Sequence, residues 1–208
     1  MLVICSQGRA VALDPALVGV DGAATKLDAA AANIADIYHR TRHIQYPDWS
    51  TPGAFQLVLC DLGTPKDGDA QSYGRIRAGL IARGVPAETI RFVHEATTPK
   101  AREAIFAACR NGSCAVLLGS TPKAGIGTNI QHRLHSLHRV DVPWTPAAWE
   151  QGNARALRYG NSFTDTGVGI YSYVSEYSFD ARSFDIIERK ARSFEVFYRG
   201  SAAIERES

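Results

Sequence analysis

Residues 114–129 read CAVLLGSTPKAGIGTN, a short apolar run followed directly by small and turn-forming residues. A run of five apolar residues that starts at Cys114 is typical of a strand covered on both faces, as in a parallel sheet. We expect residues 119–129 to form a loop without regular structure at the carboxyl end of that strand, where open α/β sheets place their ligand sites. This stretch therefore predicts both the kind of sheet and the place of a functional site.

The rest of the chain alternates short apolar runs with segments of helical period. The predicted strands cover residues 55–60, 90–94, 137–142 and 168–174, and the predicted helices cover residues 24–41, 71–83, 100–110, 147–157 and 184–198. Strands that alternate with helices at crossover lengths predict an α/β fold, a mainly parallel sheet with helices on both faces.

The composition is that of an ordinary globular protein, with 208 residues of which 45% are hydrophobic. Lys+Arg 23 against Asp+Glu 21 leaves a net charge of +2, so any basic surface for nucleic acid must be local. No apolar run approaches the roughly 18 residues of a membrane-spanning helix. The first five residues give way to polar ones too early for a signal peptide. We expect a cytoplasmic protein without a membrane partner.

Two segments carry candidate chemistry. Gly125 and Gly127 follow a buried strand, where backbone N–H groups can approach a phosphate, although a plain connection is the alternative. No GxGxxG or GxxxxGK[ST] pattern occurs, so the usual phosphate loop is absent from this sequence. Arg155 and Arg158 stand three residues apart, and on a helix both guanidinium groups would suit a phosphate or carboxylate. A solvated pair of surface arginines is the alternative.

Histidines and tryptophans in the same region have simpler interpretations. His132, His135 and His138 recur every three residues, but no cysteine or carboxylate joins them, so we interpret them as packing or surface residues and expect no metal site. Trp144 and Trp149 are able to stack on bases, and packing is the alternative for Trp144 in its Pro-flanked turn.

Six segments in sequence order resemble the second RecA-like lobe of superfamily-two helicases. The resemblance is to Swi/Snf-type translocases and to helicase–methylase fusion proteins of phages and mobile elements. Residues 118–130 resemble motif V, a glycine-x-glycine-x-asparagine run after a Ser/Thr-bearing strand end, and residues 151–161 resemble motif VI, glutamine-x-x-glycine-arginine-x-x-arginine-x-glycine-asparagine. The other matching segments are residues 25–27, 55–61, which resemble motif IV, 92–98 and 140–146.

The resemblance implies roles for particular residues. It makes Arg158 the arginine finger that stabilises charge on the γ-phosphate, with Arg155 assisting as the second catalytic residue. The implied nucleotide-binding residues are Gln151, Gly125, Gly127 and Asn129, and the implied contacts to the nucleic-acid backbone come from Ser120, Thr121 and Lys123.

The resemblance also implies partners that this chain does not contain. ATP and Mg would be held mainly by a separate N-terminal RecA-like lobe with Walker A and B motifs, and we expect neither bound to this chain alone. DNA is the expected nucleic acid. Gly152, Asn153 and Ala154 stand where the fusion-protein relatives carry arginine, glutamate and glycine, which removes one positive charge from the nucleotide face.

We therefore expect a RecA-like C-terminal lobe of an ATP-dependent DNA helicase or translocase. The alternative is a non-catalytic, degenerate lobe that binds DNA or docks a partner such as a methyltransferase. An isolated small-molecule enzyme would need a base or nucleophile that the sequence does not offer in a credible arrangement. We predict one domain over residues 1–208, with a lead-in over 1–23 and a C-terminal helical extension over 176–208.

Overall fold

The computed structural model describes residues 2–22, 25–66, 69–125, 129–143, 145–156, 160–163, 165–187 and 189. The helices in this part of the chain are α1 (Leu2–Leu13), α2 (Thr25–Thr41), α3 (Gln71–Ala82), α4 (Pro99–Asn111), α5 (Thr121–Gly125) and α6 (Pro146–Ala156). The strands are β1 (Phe55–Leu59), β2 (Ile90–Phe92), β3 (Val116–Gly119), β4 (Leu134–Arg139) and β5 (Gly169–Ser172). Residues 179–187 are also helical.

The described strands form one parallel sheet in the order β2-β3-β1-β4-β5. In the centre, Leu57 of β1 lies opposite Leu117 of β3 and Leu137 of β4. Every residue of β1 is buried, because a central parallel strand has protein on both faces. The predicted α/β fold, a mainly parallel sheet with helices on both faces, is confirmed.

Alternate side chains of β1 pack against different helices. Val58 belongs to a core cluster with Ile34 of α2 and Ile76 of α3, whereas Leu57 belongs to a second cluster with Ile105 of α4. Strand β1 therefore contributes apolar side chains to a core cluster on each face of the sheet. Burying an aliphatic side chain of this size contributes about 1.5–3 kcal/mol.

Helix α4 begins and ends close to where its sequence signals predict. The Thr98 hydroxyl accepts a hydrogen bond from the Ala101 N–H at 3.2 Å, and Pro99 occupies the first turn. Gly112 ends the helix with φ +90°, a conformation that other residues rarely adopt. These caps fix the direction in which the chain enters β3.

Helix α5 departs from the prediction for residues 119–129, which we expected to lack regular structure. The Asp61 carboxylate accepts the Thr121 N–H at 2.6 Å, and the Ser120 carbonyl accepts the Ala124 N–H at 2.8 Å. Thr121–Gly125 is therefore a short helix rather than a loop. The acceptor at its start lies 60 residues away in sequence, so local composition could not reveal it.

Strand β4 begins and ends three residues before the predicted range of 137–142. The prediction missed its start because His135 and Ser136 are polar. Ser136 and His138 are nevertheless fully buried, since each has polar partners inside the sheet. The Nε2 atom of His138 lies 3.0 Å from Gln56 Oε1 and 3.3 Å from Ser136 Oγ, and its Nδ1 atom lies 2.8 Å from the Tyr173 hydroxyl.

The buried His138 gives the fold a pH dependence. Burial lowers the pKa of His138 to about 3, so the folded protein keeps this ring neutral while the unfolded chain takes up a proton below about 6.5. Its contribution to the free energy of unfolding therefore falls as pH drops from 6.5 towards 3, by about 2 kcal/mol at pH 5. Urea unfolding should show that the wild type has a larger free energy of unfolding than His138→Gln at pH 7, and that this difference narrows towards pH 5. A gap independent of pH would contradict the assignment, and the exposed His43→Gln is the control.

The two ends of the described chain pack against each other. Helix α1, which was not predicted within the lead-in, passes close to the helical residues 179–187 at Gly8, where an added Cβ atom would lie 3.4 Å from Phe179. Lys26, at the start of α2, forms a buried ion pair with Asp180. These contacts hold the residues after β5 against the first two helices.

Candidate functional site

The carboxyl ends of three neighbouring strands meet at one edge of the sheet. Leu59 of β1 lies opposite Gly119 of β3 and Arg139 of β4. The residues that follow these strands therefore share the edge at which ligand sites of open parallel sheets lie. We call this part of the molecule, formed by residues 60–62, 120–125 and 140–143, the carboxyl edge.

Two buried or half-buried acids organise the carboxyl edge. Asp141 Oδ2 accepts hydrogen bonds from the N–H groups of Asp61 at 2.8 Å and Leu62 at 2.7 Å. Asp61 Oδ1 in turn accepts the Thr121 N–H at the start of α5. Because one oxygen of each carboxylate accepts backbone N–H groups, Asp141 fixes the chain after β1 and Asp61 fixes the start of α5.

The same edge concentrates charges of both signs. Burial raises the pKa of Asp141 to about 6, and the neighbouring Asp61 also raises it, whereas the two N–H groups and Arg9 act in the opposite direction. Burial lowers the pKa of Arg139 to about 10, and the charges of Asp61 and Asp141 oppose that change. Arg9 donates a hydrogen bond to the Val142 carbonyl. Acids and arginines here are thus held close together in a desolvated environment.

The residues predicted to contact nucleic acid lie at the start of α5. Ser120 and Thr121 are buried, at 9% and 7% exposure, whereas Lys123 is exposed. Of the residues predicted to bind nucleotide, Gly125 is the last residue of α5 and Asn129 is exposed. Gly127 lies outside the described residues.

Helix α6 carries the described part of the motif VI segment. The Thr145 hydroxyl accepts the Ala148 N–H at 3.2 Å in the first turn, and α5 and α6 contact each other. Gln151 and Arg155 lie within α6, but their side chains are outside the described part of the structure. Arg158 lies outside the described residues.

Sequence reasoning missed Arg139, the last residue of β4. Its side chain is 3% exposed, donates from Nε to Asn153 Oδ1 at 3.0 Å and from Nη2 to the Trp149 carbonyl, and lies with Cζ 4.4 Å from the centre of the Trp149 ring. A Cβ atom at Gly152 would lie 2.0 Å from Arg139 Nη2. Gly152 therefore leaves room for a guanidinium, a role that its sequence position alone did not indicate. A glycine in the middle of a helix was the available signal.

The histidines pack against aromatic rings in the described structure. The ring centres are 6.1 Å apart for His132 and Tyr46, 5.0 Å for His135 and Phe163, and 5.1 Å for His138 and Tyr171. Trp149 packs edge-on against Phe184 as well as beneath Arg139, while Trp144 lies outside the described residues. Among the described residues, no three histidine, cysteine, aspartate or glutamate side chains are placed to hold a metal ion.

Comparisons with known proteins find similarity to helicase C-terminal domains. Residues 71–160 match the family model for the helicase conserved C-terminal domain. The C-terminal domain of the DEAD-box protein Dbp5 has a TM-score of 0.54 at 14% identity, over 81% of this chain and 79% of that one. The C-terminal part of the Fun30 ATPase domain has a TM-score of 0.52 at 13% identity, over 89% of this chain and 64% of that one.

A phage protein is similar over a shorter segment. The defense against restriction protein B of Escherichia phage P1 is 33% identical over 69 residues, which is 33% of this chain. The matched segment spans 3% of the length of that protein.

The fold is similar to that of the two solved C-terminal domains. The residues that match the helicase conserved C-terminal domain model run from α3 to Gly160, through β2, β3, β4 and α6, and make up less than half of the chain. The resemblance found in the sequence is confirmed at this level. None of the helices in the described ranges combines the length and apolarity needed to cross a bilayer.

Proposed function

We propose that this chain is the second lobe of an ATP-dependent DNA helicase or translocase, and that it closes over ATP held by a first RecA-like lobe. The observation that carries the proposal is the carboxyl edge itself. There α5, which contains Thr121 and Lys123, contacts α6, which contains Gln151 and Arg155, and this contact supports a lobe that binds both ligands. Coupling between the two ligands would then follow from opening and closing of the cleft between lobes.

In this proposal Arg158 is the arginine finger and Arg155 assists it, with Gln151 contacting the nucleotide. A positioned guanidinium stabilises the negative charge that develops on the transferred phosphoryl group. Asp61 and Asp141 each use a carboxylate oxygen to hold backbone N–H groups, and their negative charges would repel the phosphates of ATP rather than bind them. ATP and Mg²⁺ are therefore proposed to be held mainly by the Walker A and B motifs of the first lobe.

On the nucleic-acid side, α5 would contact the phosphate backbone. Lys123 supplies an exposed positive charge, whereas the buried Ser120 and Thr121 shape the backbone of the turn. Contacts of this kind position a strand without reading its sequence. Affinity of the lone domain for DNA should therefore be weak and fall steeply with salt.

Replacing Lys123 with alanine should weaken DNA binding by the 208-residue chain uniformly across sequences. Removing one phosphate contact is expected to reduce the slope of log affinity against log salt by about 1. Fluorescence anisotropy with a labelled oligonucleotide at several salt concentrations measures both quantities. The exposed Arg83, which caps α3 at the other edge of the sheet, is the control, and an equal effect of Arg83→Ala would argue against a site at α5.

The experiment that tests the proposed function is an ATPase assay on a polypeptide that joins this chain to a first lobe. We expect ATP hydrolysis that DNA stimulates. A folded two-lobe polypeptide that hydrolyses no ATP with or without DNA would instead establish the non-catalytic lobe, which binds DNA or docks a partner such as a methyltransferase.

A further inference from the structure

Two buried arginines flank β4, and they share an unusual packing arrangement. Arg133 comes directly before the strand and lies 4.3 Å from the centre of the Tyr46 ring, whereas Arg139 ends the strand and lies 4.4 Å from the centre of the Trp149 ring. For each arginine a Cβ atom on a nearby glycine would come within 2.0 Å of a guanidinium nitrogen, at Gly112 for Arg133 and at Gly152 for Arg139. Each guanidinium thus occupies a space that a glycine leaves open.

The partners of the two arginines differ. Arg133 Nη2 donates to the carbonyl oxygens of Thr51 at 2.7 Å and Gly53 at 2.6 Å, so it holds the loop that enters β1 at the opposite edge of the sheet. Arg139 instead donates to Trp149 and Asn153, both on α6. One arginine therefore secures a connecting loop, and the other secures the helix that carries the motif VI segment.

Polar contacts join α5 to the end of β1, and Arg139 joins the end of β4 to α6. The Thr121 N–H at the start of α5 donates to Asp61, and the Asp61 N–H donates to Asp141. Both carboxylates interact electrostatically with Arg139. Arg139 then donates to Asn153 Oδ1 on α6. A planar guanidinium can stack on an indole ring while donating in two directions, which a lysine ammonium cannot reproduce.

We propose that Arg139 is a positioning residue that fixes α6 to the carboxyl edge, so that α5 and α6 move as one rigid unit. The functional part of this inference rests on the proposed function, because it assigns DNA contact to α5 and nucleotide contact to α6. Gly152 and Asn153 then form a matched set with Arg139, since one leaves room for its guanidinium and the other accepts its Nε–H. Both departures from the helicase pattern therefore have a structural role in α6.

Amide hydrogen exchange of the 208-residue chain tests the structural part of the inference, that Arg139 holds α6 in place. Arg139→Met should raise amide exchange in α6 and at Thr121 by about tenfold or more. Arg133→Met is the matched control, because it removes a buried, ring-stacked guanidinium from the other edge, and its effect should be confined to residues 51–53. Gly152→Ala should reproduce the Arg139→Met pattern, because its Cβ displaces the guanidinium. Exchange in α6 that rises equally in Arg133→Met and Arg139→Met would overturn the proposal.

Kinetics of the two-lobe polypeptide test the functional part. Arg139→Met should lower the DNA-stimulated kcat by up to about 100-fold with little change in KM for ATP, because a helix displaced by about 1 Å misplaces its catalytic groups. Arg139→Lys should restore less than half of the loss, whereas Arg133→Met should leave kcat near that of the wild type. If the Arg139→Met variant hydrolyses ATP as fast as the wild type and is stimulated by DNA to the same extent, the inference is overturned and the proposed function is unaffected. A wild type without ATPase activity overturns the proposed function, while the exchange experiment still decides whether α5 and α6 are joined.

Discussion

Replacing Arg158 with alanine is expected to lower kcat for ATP hydrolysis by about 10³-fold or more in the polypeptide that joins this chain to a first lobe. The physical reason is that an arginine finger stabilises the additional negative charge that develops during phosphoryl transfer more than the charge that bound ATP already carries. KM for ATP and affinity for DNA should therefore change far less than kcat. Steady-state ATPase assays and anisotropy binding on the same preparation separate these quantities.

Two further variants sharpen this result. Arg158→Lys should recover little activity, because a point charge does not reproduce the planar fork that matches phosphate oxygens. Arg182→Ala removes an exposed arginine of the helical residues 179–187 and should leave kcat unchanged. Unchanged turnover in a folded Arg158→Ala variant would remove the finger assignment, and Arg155 would be the next residue to examine.

The fold could be predicted from local sequence because the central strands are short, mostly apolar runs. Residues 114–118 are apolar throughout and residues 55–60 are apolar except for Gln56, a pattern typical of strands covered on both faces. Strand β4 was harder to delimit, since Ser136 and His138 are polar and are tolerated inside only because Gln56 and Tyr173 provide partners from other elements. Helix α5 depends in the same way on Asp61.

The site was predictable in its location but not in how it is held together. The motif V and motif VI segments direct attention to α5 and α6, and these helices do meet at the carboxyl edge. The roles given to Ser120, Lys123 and Arg155 stay predictions. Arg139 escaped notice because its partners lie 10 and 14 residues away on another element, so that only the folded chain brings them together.

Substitutions of Asp141 should have the second large effect, which is on the free energy of unfolding, and its sign depends on the new residue. Asp141→Ala should be less stable than Asp141→Asn by about 3 kcal/mol, since alanine leaves the half-buried N–H groups of Asp61 and Leu62 without an acceptor at about 1–3 kcal/mol each. Asp141→Asn keeps an acceptor oxygen of the same shape. The two variants therefore separate the hydrogen bonds from the charge, and urea unfolding with matched m-values measures both.

The charge itself works against folding at neutral pH. The folded-state pKa of Asp141 is raised to about 6 from 3.8, so its favourable contribution is present below about 3.8 and is lost as pH rises through 6. The cost of ionising it in the folded state is about 3 kcal/mol at pH 7. Asp141→Asn should accordingly be more stable than the wild type at pH 7, and its advantage should shrink as pH falls towards 4. An Asp141→Asn variant that is less stable than the wild type at every pH would show that the arginines of the carboxyl edge more than offset the desolvation of this carboxylate.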